Sequence, residues 1–300
     1  MSDARQLEQM TTKDGFIAAL DQSGGSTPGA LRLYGVTESD YNGEKEMYAA
    51  VHAFRVRIMS SPAFTGAKVL GAILFEMTMD GEAHGQPVPT YLWEKRGVVP
   101  FLKVDKGLAA EADGVQLMKP IPDLDALLER AVKKGIFGTK KRSVINHANP
   151  KGVNAIVDQQ FEIGLQIAKH GLVPIIEPEV SIKATDKAEC EVLLRDAITK
   201  RLDALPVGVK VMLKLTIPSK PDFFLPLVKH PKIVRVVALS GGYSRSDSCK
   251  LLAQNHGMIA SFSRALAEGL KKQMSDAEFD AALASYIDEI YTASKVKVAA

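Results

Sequence analysis

Val209-Lys210-Val211-Met212-Leu213-Lys214-Leu215 is a short apolar run with a lysine near its far end. Its β-branched and aliphatic residues, with turn formers on both sides, predict a β-strand over 209–215. Successive side chains of a strand point to opposite faces. Val209, Val211, Leu213 and Leu215 therefore share one face, and Lys210, Met212 and Lys214 the other. A lysine buried at a strand end is costly unless it is partnered or gives up its proton. An uncharged lysine is a nucleophilic amine, the group that forms Schiff bases with carbonyls. The competing reading is an edge strand with solvated lysines.

The chain on either side repeats the pattern. Buried runs are predicted over 15–21, 71–75, 98–104, 140–146, 172–180, 233–240 and 256–264. Helical stretches alternate with them, over 43–59, 122–134, 153–170, 185–205, 265–273 and 276–293. Gly171 is placed as a helix stop, and Arg55 and Arg57 on the solvated side of their helix. Eight short strands alternating with helices predict a (β/α)8 barrel of the α/β class. No linker or composition shift divides residues 1–300, so a single domain is expected.

In such barrels the chemistry gathers where strands end. The predicted strand ends carry Asp21, Lys103, Glu177, Glu179, Lys214, Ser240 and Arg264. Glu177 and Glu179 fall on one face above Val173 and Ile175. Two carboxylates side by side on an apolar strand repel, so one is expected to hold its proton to a raised pH. Loops after strands seven and eight often bind phosphate. Here they offer Ser240, Gly241, Gly242, Ser261 and Arg264, and an arginine fork suits a phosphate. A cation at a helix start, as predicted for Arg264, asks for an anion to offset it. The 22–29 loop is rich in glycine and hydroxyls but lacks the Walker pattern.

Composition narrows the function. The 300 residues carry a net charge of +3, too little to argue for nucleic acid. No apolar run reaches the ~20 residues needed to span a bilayer. The first ten residues are polar and unlike a signal peptide. Cys190 and Cys249 have no metal-ligand spacing, and a reducing cytoplasm is expected. The six histidines, at 52, 84, 147, 170, 230 and 256, show no ligand spacing either, so no metal is expected.

Several segments, in order and spacing, resemble class I fructose-bisphosphate aldolases: Ala18-Ala19-Leu20-Asp21-Gln22-Ser23, Leu102-Lys103-Val104-Asp105-Lys106-Gly107, Val173-Pro174-Ile175-Ile176-Glu177-Pro178-Glu179, Leu213-Lys214, Leu239-Ser240-Gly241-Gly242 and Ser263-Arg264-Ala265-Leu266. The resemblance runs from about residue 15 to the last helix. It implies a metal-free lyase of glycolysis and gluconeogenesis that cleaves fructose 1,6-bisphosphate through a lysine imine. By the same resemblance, Lys214 attacks the ketone, Asp21 takes the C4 hydroxyl proton, and Glu177 moves protons as the carbinolamine forms and dehydrates. Glu179 is similar to the acid that holds the neighbouring lysines, and the charge of Lys140 would lower the pKa of Lys214. Ser240, Gly241, Gly242, Ser261 and Arg264 resemble the C1-phosphate site. Lys103, Ser23 and Ser26 resemble the C6-phosphate side, and Arg142 a substrate-contacting arginine.

Two points stand apart. The predicted fourth strand starts at Lys140, whereas the site should lie at strand ends, and only the resemblance selects Lys140 over Lys141. Animal-type members also end in a tail with a terminal tyrosine, and carry a loop arginine near the place of Ala30. This chain has neither and resembles the shorter bacterial branch. Rival readings are a zinc aldolase, another Schiff-base barrel such as a transaldolase or tagatose-bisphosphate aldolase, and a non-catalytic binding protein on the same scaffold. The expected partners are small sugar phosphates, without nucleic acid or membrane. A homo-oligomer stays open.

Overall fold

The computed structural model describes residues 3–298, with the side chain of Ser26 outside the described set. Eight parallel strands form the barrel: β1 (Phe16–Leu20), β2 (Val69–Leu74), β3 (Val99–Lys103), β4 (Gly138–Ile145), β5 (Val173–Val180), β6 (Val211–Thr216), β7 (Ile233–Leu239) and β8 (Met258–Ala260). They pair in chain order. The Ala19 amide donates to the Phe262 carbonyl at 3.0 Å, drawing the two edges together. A short antiparallel strand, Val115–Gln116, lies against the end of β4.

The principal helices are α1 (Ala4–Thr12), α2 (Thr27–Tyr34), α3 (Gly43–Ser60), α4 (Leu124–Lys133), α5 (Pro150–Lys169), α6 (Lys187–Asp203), α7 (Arg245–Ala253) and α8 (Asp276–Lys295). Strand alternation divides the core in two. Ile17, Ala19, Ile73, Phe101, Ile175, Met212, Val237 and Ile259 fill the barrel interior. Leu213, Leu215, Ile176 and Val236 face outward into the layer under the helices. Helix α1 closes the bottom: Met10 joins the interior cluster, and the Gln9 amide donates to the Leu70 and Gly97 carbonyls.

Several predicted boundaries move. The sixth strand covers Val211–Thr216, and Lys210 precedes it, exposed. The fourth begins at Gly138, which lifts Lys140 to the level of Lys103 at the end of β3. The eighth is only Met258–Ala260, and the helix expected over 265–273 is a single turn, Arg264–Ala267. A one-turn helix has too small a dipole to support the anion argument made for Arg264. Arg55 is 2% exposed and not on a solvated face.

Candidate active site

The upper ends of the strands surround a cavity of about 500 Å³. Asp21, Ser23, Lys103, Lys140, Arg142, Glu177, Glu179, Lys214, Ser240, Gly241, Ser261 and Arg264 all line it. Gly242 lines an adjoining cavity that shares Arg264. The side chain of Ser26 lies outside the described residues.

At the centre are two amines and two carboxylates. Lys214, above Met212 on the inner face of β6, is 4% exposed, and its Nζ lies 3.1 Å from Glu177 Oε1. Lys140 Nζ bridges Asp21 Oδ2 at 2.6 Å and Glu177 Oε2 at 2.9 Å. The Lys140–Glu177 contact is an ion pair. Burial would push the Lys140 pKa down, but Asp21, Glu177 and Asp105 outweigh it and raise it. Burial would likewise raise the Asp21 pKa, but Lys140, Lys214 and Lys103 overcome it and hold Asp21 well below the usual carboxylate range. Lys140 is thus a cation and Asp21 an anion at neutral pH.

The arrangement corrects two expectations. Glu177 and Glu179 are each paired with cations, Lys140 and Lys214 against Glu177 and Arg142 against Glu179, which offsets their mutual repulsion. Glu179 Oε2 accepts from Arg142 Nε at 2.5 Å, so among the described residues its partner is an arginine and not a lysine. Alternation also decides between the adjacent lysines on a physical ground. Lys140 points into the cavity, whereas Lys141 points outward, fully buried beneath α5, and its amine has no hydrogen-bond partner among the described residues. Burial pushes the Lys141 pKa down to about 7.

One side of the cavity gathers two serines, a glycine pair and an arginine. Ser240 is 7% exposed and Ser261 1%, and the Ser261 hydroxyl has no hydrogen-bond partner among the described residues. Gly241 has φ +61°, and a Cβ there would lie 2.7 Å from Ile182 Cγ2. Gly242 has φ +120°, and a Cβ would stand 3.8 Å from Arg264 Nη2. Arg264 is exposed, with no carboxylate paired to it among the described residues. On the opposite side, Lys103 is partly committed: its Nζ lies 2.7 Å from Asp105 Oδ1 and donates to the Asp105 carbonyl at 3.0 Å.

A family model described as fructose-bisphosphate aldolase class-I matches residues 5–214. The class 1 fructose-bisphosphate aldolase of Synechocystis sp. is 58% identical over 289 residues, covering 96% of each chain. The chain belongs to the class I fructose-bisphosphate aldolase family. A second class 1 aldolase, from Porphyromonas gingivalis, is 54% identical over 96% of this chain and 98% of its own. A Plasmodium falciparum fructose-bisphosphate aldolase, solved with TRAP and a small-molecule inhibitor, superposes with a TM-score of 0.71 at 20% identity. The match covers 99% of this chain and 97% of that one, and it supports the aldolase barrel as a fold.

Around this family's lysine, three residues had escaped assignment. Asp105 is 6% exposed, receives the Arg142 and Gly107 amides at 3.1 and 3.2 Å, and pairs with Lys103. Its i, i+2 spacing from Lys103 was the available signal. Gln22 donates to Ser263 Oγ at 2.6 Å, tying the loop after β1 to the segment after β8. Arg55 donates to the Gln22 carbonyl and to Thr78 Oγ1 at 2.7 Å. Burial pushes the Arg55 pKa down to about 10 against the pull of Asp21 and Tyr48. Nothing in the α3 sequence separates Arg55 from its solvated neighbours.

Proposed function

We propose that the chain catalyses the reversible cleavage of fructose 1,6-bisphosphate to dihydroxyacetone phosphate and glyceraldehyde 3-phosphate, through an imine on Lys214. The carrying observation is the buried Lys214 amine 3.1 Å from Glu177, beside the Lys140 bridge between Glu177 and Asp21. Attack on the ketone requires Lys214 to lose its proton, and Glu177 Oε1 is the adjacent acceptor. Glu177 then returns that proton to the carbinolamine oxygen, which leaves as water. The imine draws the C3–C4 bonding electrons, and Asp21 takes the C4 hydroxyl proton so that the aldehyde departs. Lys140 keeps Asp21 ionised and holds both carboxylates in place.

The C1 phosphate sits on Ser240, Gly241, Gly242, Ser261 and Arg264. The C6 phosphate faces Lys103 and Ser23, with Arg142 contacting the sugar from its pair with Glu179. The electron sink is the imine itself, so the reaction needs no metal. The partners are sugar phosphates, and the setting is the cytoplasm. No described helix is long and apolar enough to cross a membrane. Purified enzyme should cleave fructose 1,6-bisphosphate at full rate after chelator treatment. Loss of activity restored by zinc would reject the imine route. Faster cleavage of tagatose 1,6-bisphosphate would reassign the sugar.

A further inference from the structure

Helix α5 packs on the outside of the barrel with Val153, Ile156, Val157, Phe161 and Ile167 buried against the sheet. Gln160 lies in the middle of this apolar face and is 0% exposed. An amide in such a place is costly unless its hydrogen bonds are made. Its partners belong to β4 and β5, the strands that carry Lys140 and Glu177. Gln160 Oε1 accepts the Glu177 amide at 3.3 Å. Gln160 Nε2 donates to Ser143 Oγ at 2.9 Å, the Lys141 carbonyl at 3.2 Å and the Glu177 carbonyl at 3.4 Å.

Glu177 needs this support because its strand is paired unequally. Toward β4 the register continues from Arg142↔Glu177 to Ile145↔Val180. Toward β6 it ends at Ile176↔Leu213, one residue before Glu177 and Lys214. Further along that seam, the Thr216 hydroxyl donates to the Val180 carbonyl at 2.7 Å. The carboxylate that touches both amines therefore leaves a backbone whose β6 ladder has just stopped.

We propose that Gln160 is a positioning residue: from outside the barrel it fixes the Glu177 main chain, and so sets the carboxylate between Lys140 and Lys214. This rests on the proton-shuttle reading of Glu177. Displacement of a reacting group by about 1 Å can cost a hundredfold in rate. The phosphate groups are held by other strands, so the loss falls on kcat and leaves KM nearly unchanged.

Gln159 supplies a matched control. It also clamps main chain, accepting from the Met118 amide at 2.9 Å and donating to the Met118 carbonyl at 3.0 Å, but at a segment outside the site. The test compares Gln160→Met, Gln160→Asn and Gln159→Met in the full chain. It measures kcat, KM, melting temperature and the rate at which borohydride traps the dihydroxyacetone phosphate imine. Both Gln160 variants should lose at least about tenfold in kcat and in trapping rate, with KM within about twofold. Gln159→Met should keep wild-type kinetics despite a similar fall in melting temperature. Wild-type kcat in a folded Gln160 variant overturns the proposal, as does failure of both Gln160 variants to fold, which would make the role structural. Glu177→Gln separates the two claims. If that variant is as active as wild type, the reading of Glu177 fails. If it is inactive while Gln160→Met is not, only the present inference fails.

Discussion

Replacing Lys141 with methionine should stabilise the protein, and more so at neutral than at alkaline pH. The Lys141 amine is fully buried with no hydrogen-bond partner among the described residues, and the absent Cβ of Gly164 leaves it room, 3.7 Å from where that atom would lie. Its pKa falls from 10.5 to about 7 through burial, opposed only by Asp105. In the unfolded chain the same lysine keeps its proton to its ordinary pKa. Between the two values the unfolded state binds more protons, so stability rises with pH through that window. Below the folded value the whole penalty is present. At 1.36 kcal/mol per unit, it is about 5 kcal/mol in acid, about 4 at pH 7 and about 2 at pH 9, as upper limits. Methionine has nearly the same length and no charge to bury. Urea denaturation at pH 7 and pH 9 should therefore show Lys141→Met more stable than wild type, by a margin about 2 kcal/mol smaller at the higher pH. Activity should stay within about threefold, because the side chain points away from the cavity. A variant less stable than wild type, or a margin independent of pH, would refute the reasoning.

Other consequences follow from the same geometry. Lys140→Met leaves Asp21 buried without its ion-pair partner, so stability should drop by about 3–5 kcal/mol and cleavage should be abolished. A variant as stable as wild type would show that the bridge contributes nothing. Arg264→Ala removes a cation with no carboxylate partner among the described residues, and charge-assisted phosphate bonds of about 1.5–3 kcal/mol predict a KM about 10- to 100-fold higher. An unchanged KM would place the C1 phosphate elsewhere.

Much of this was legible in the sequence because parallel strands covered on both faces read as apolar runs. The eight runs and the polar residues at their ends gave the barrel and the Asp21, Lys103, Glu177, Glu179, Lys214, Ser240 and Arg264 part of the lining, whereas Lys140, Arg142 and Ser23 were picked out only by the family resemblance. Boundaries were less legible. Val209 and Lys210 look like strand but precede it, and Thr216, whose hydroxyl donates to the Val180 carbonyl, falls outside the predicted run but ends the strand. Helix α1 is polar enough to pass for a disordered start, yet Gln9 and Met10 close the barrel floor. Lys140 and Lys141 are chemically identical in sequence. Alternation says that they diverge, but only the packing of α5 over β4 says that the outward lysine is dry. Long-range partners such as Asp21 for Lys140, or Gln160 for Glu177, leave no local pattern.

The identity of the nucleophile is the claim on which the mechanism turns. Borohydride reduction in the presence of dihydroxyacetone phosphate, followed by peptide mass spectrometry, should find the added mass on the peptide containing Lys214 and on no other. Label on Lys140, Lys141 or any other lysine, or no label at all, would contradict it.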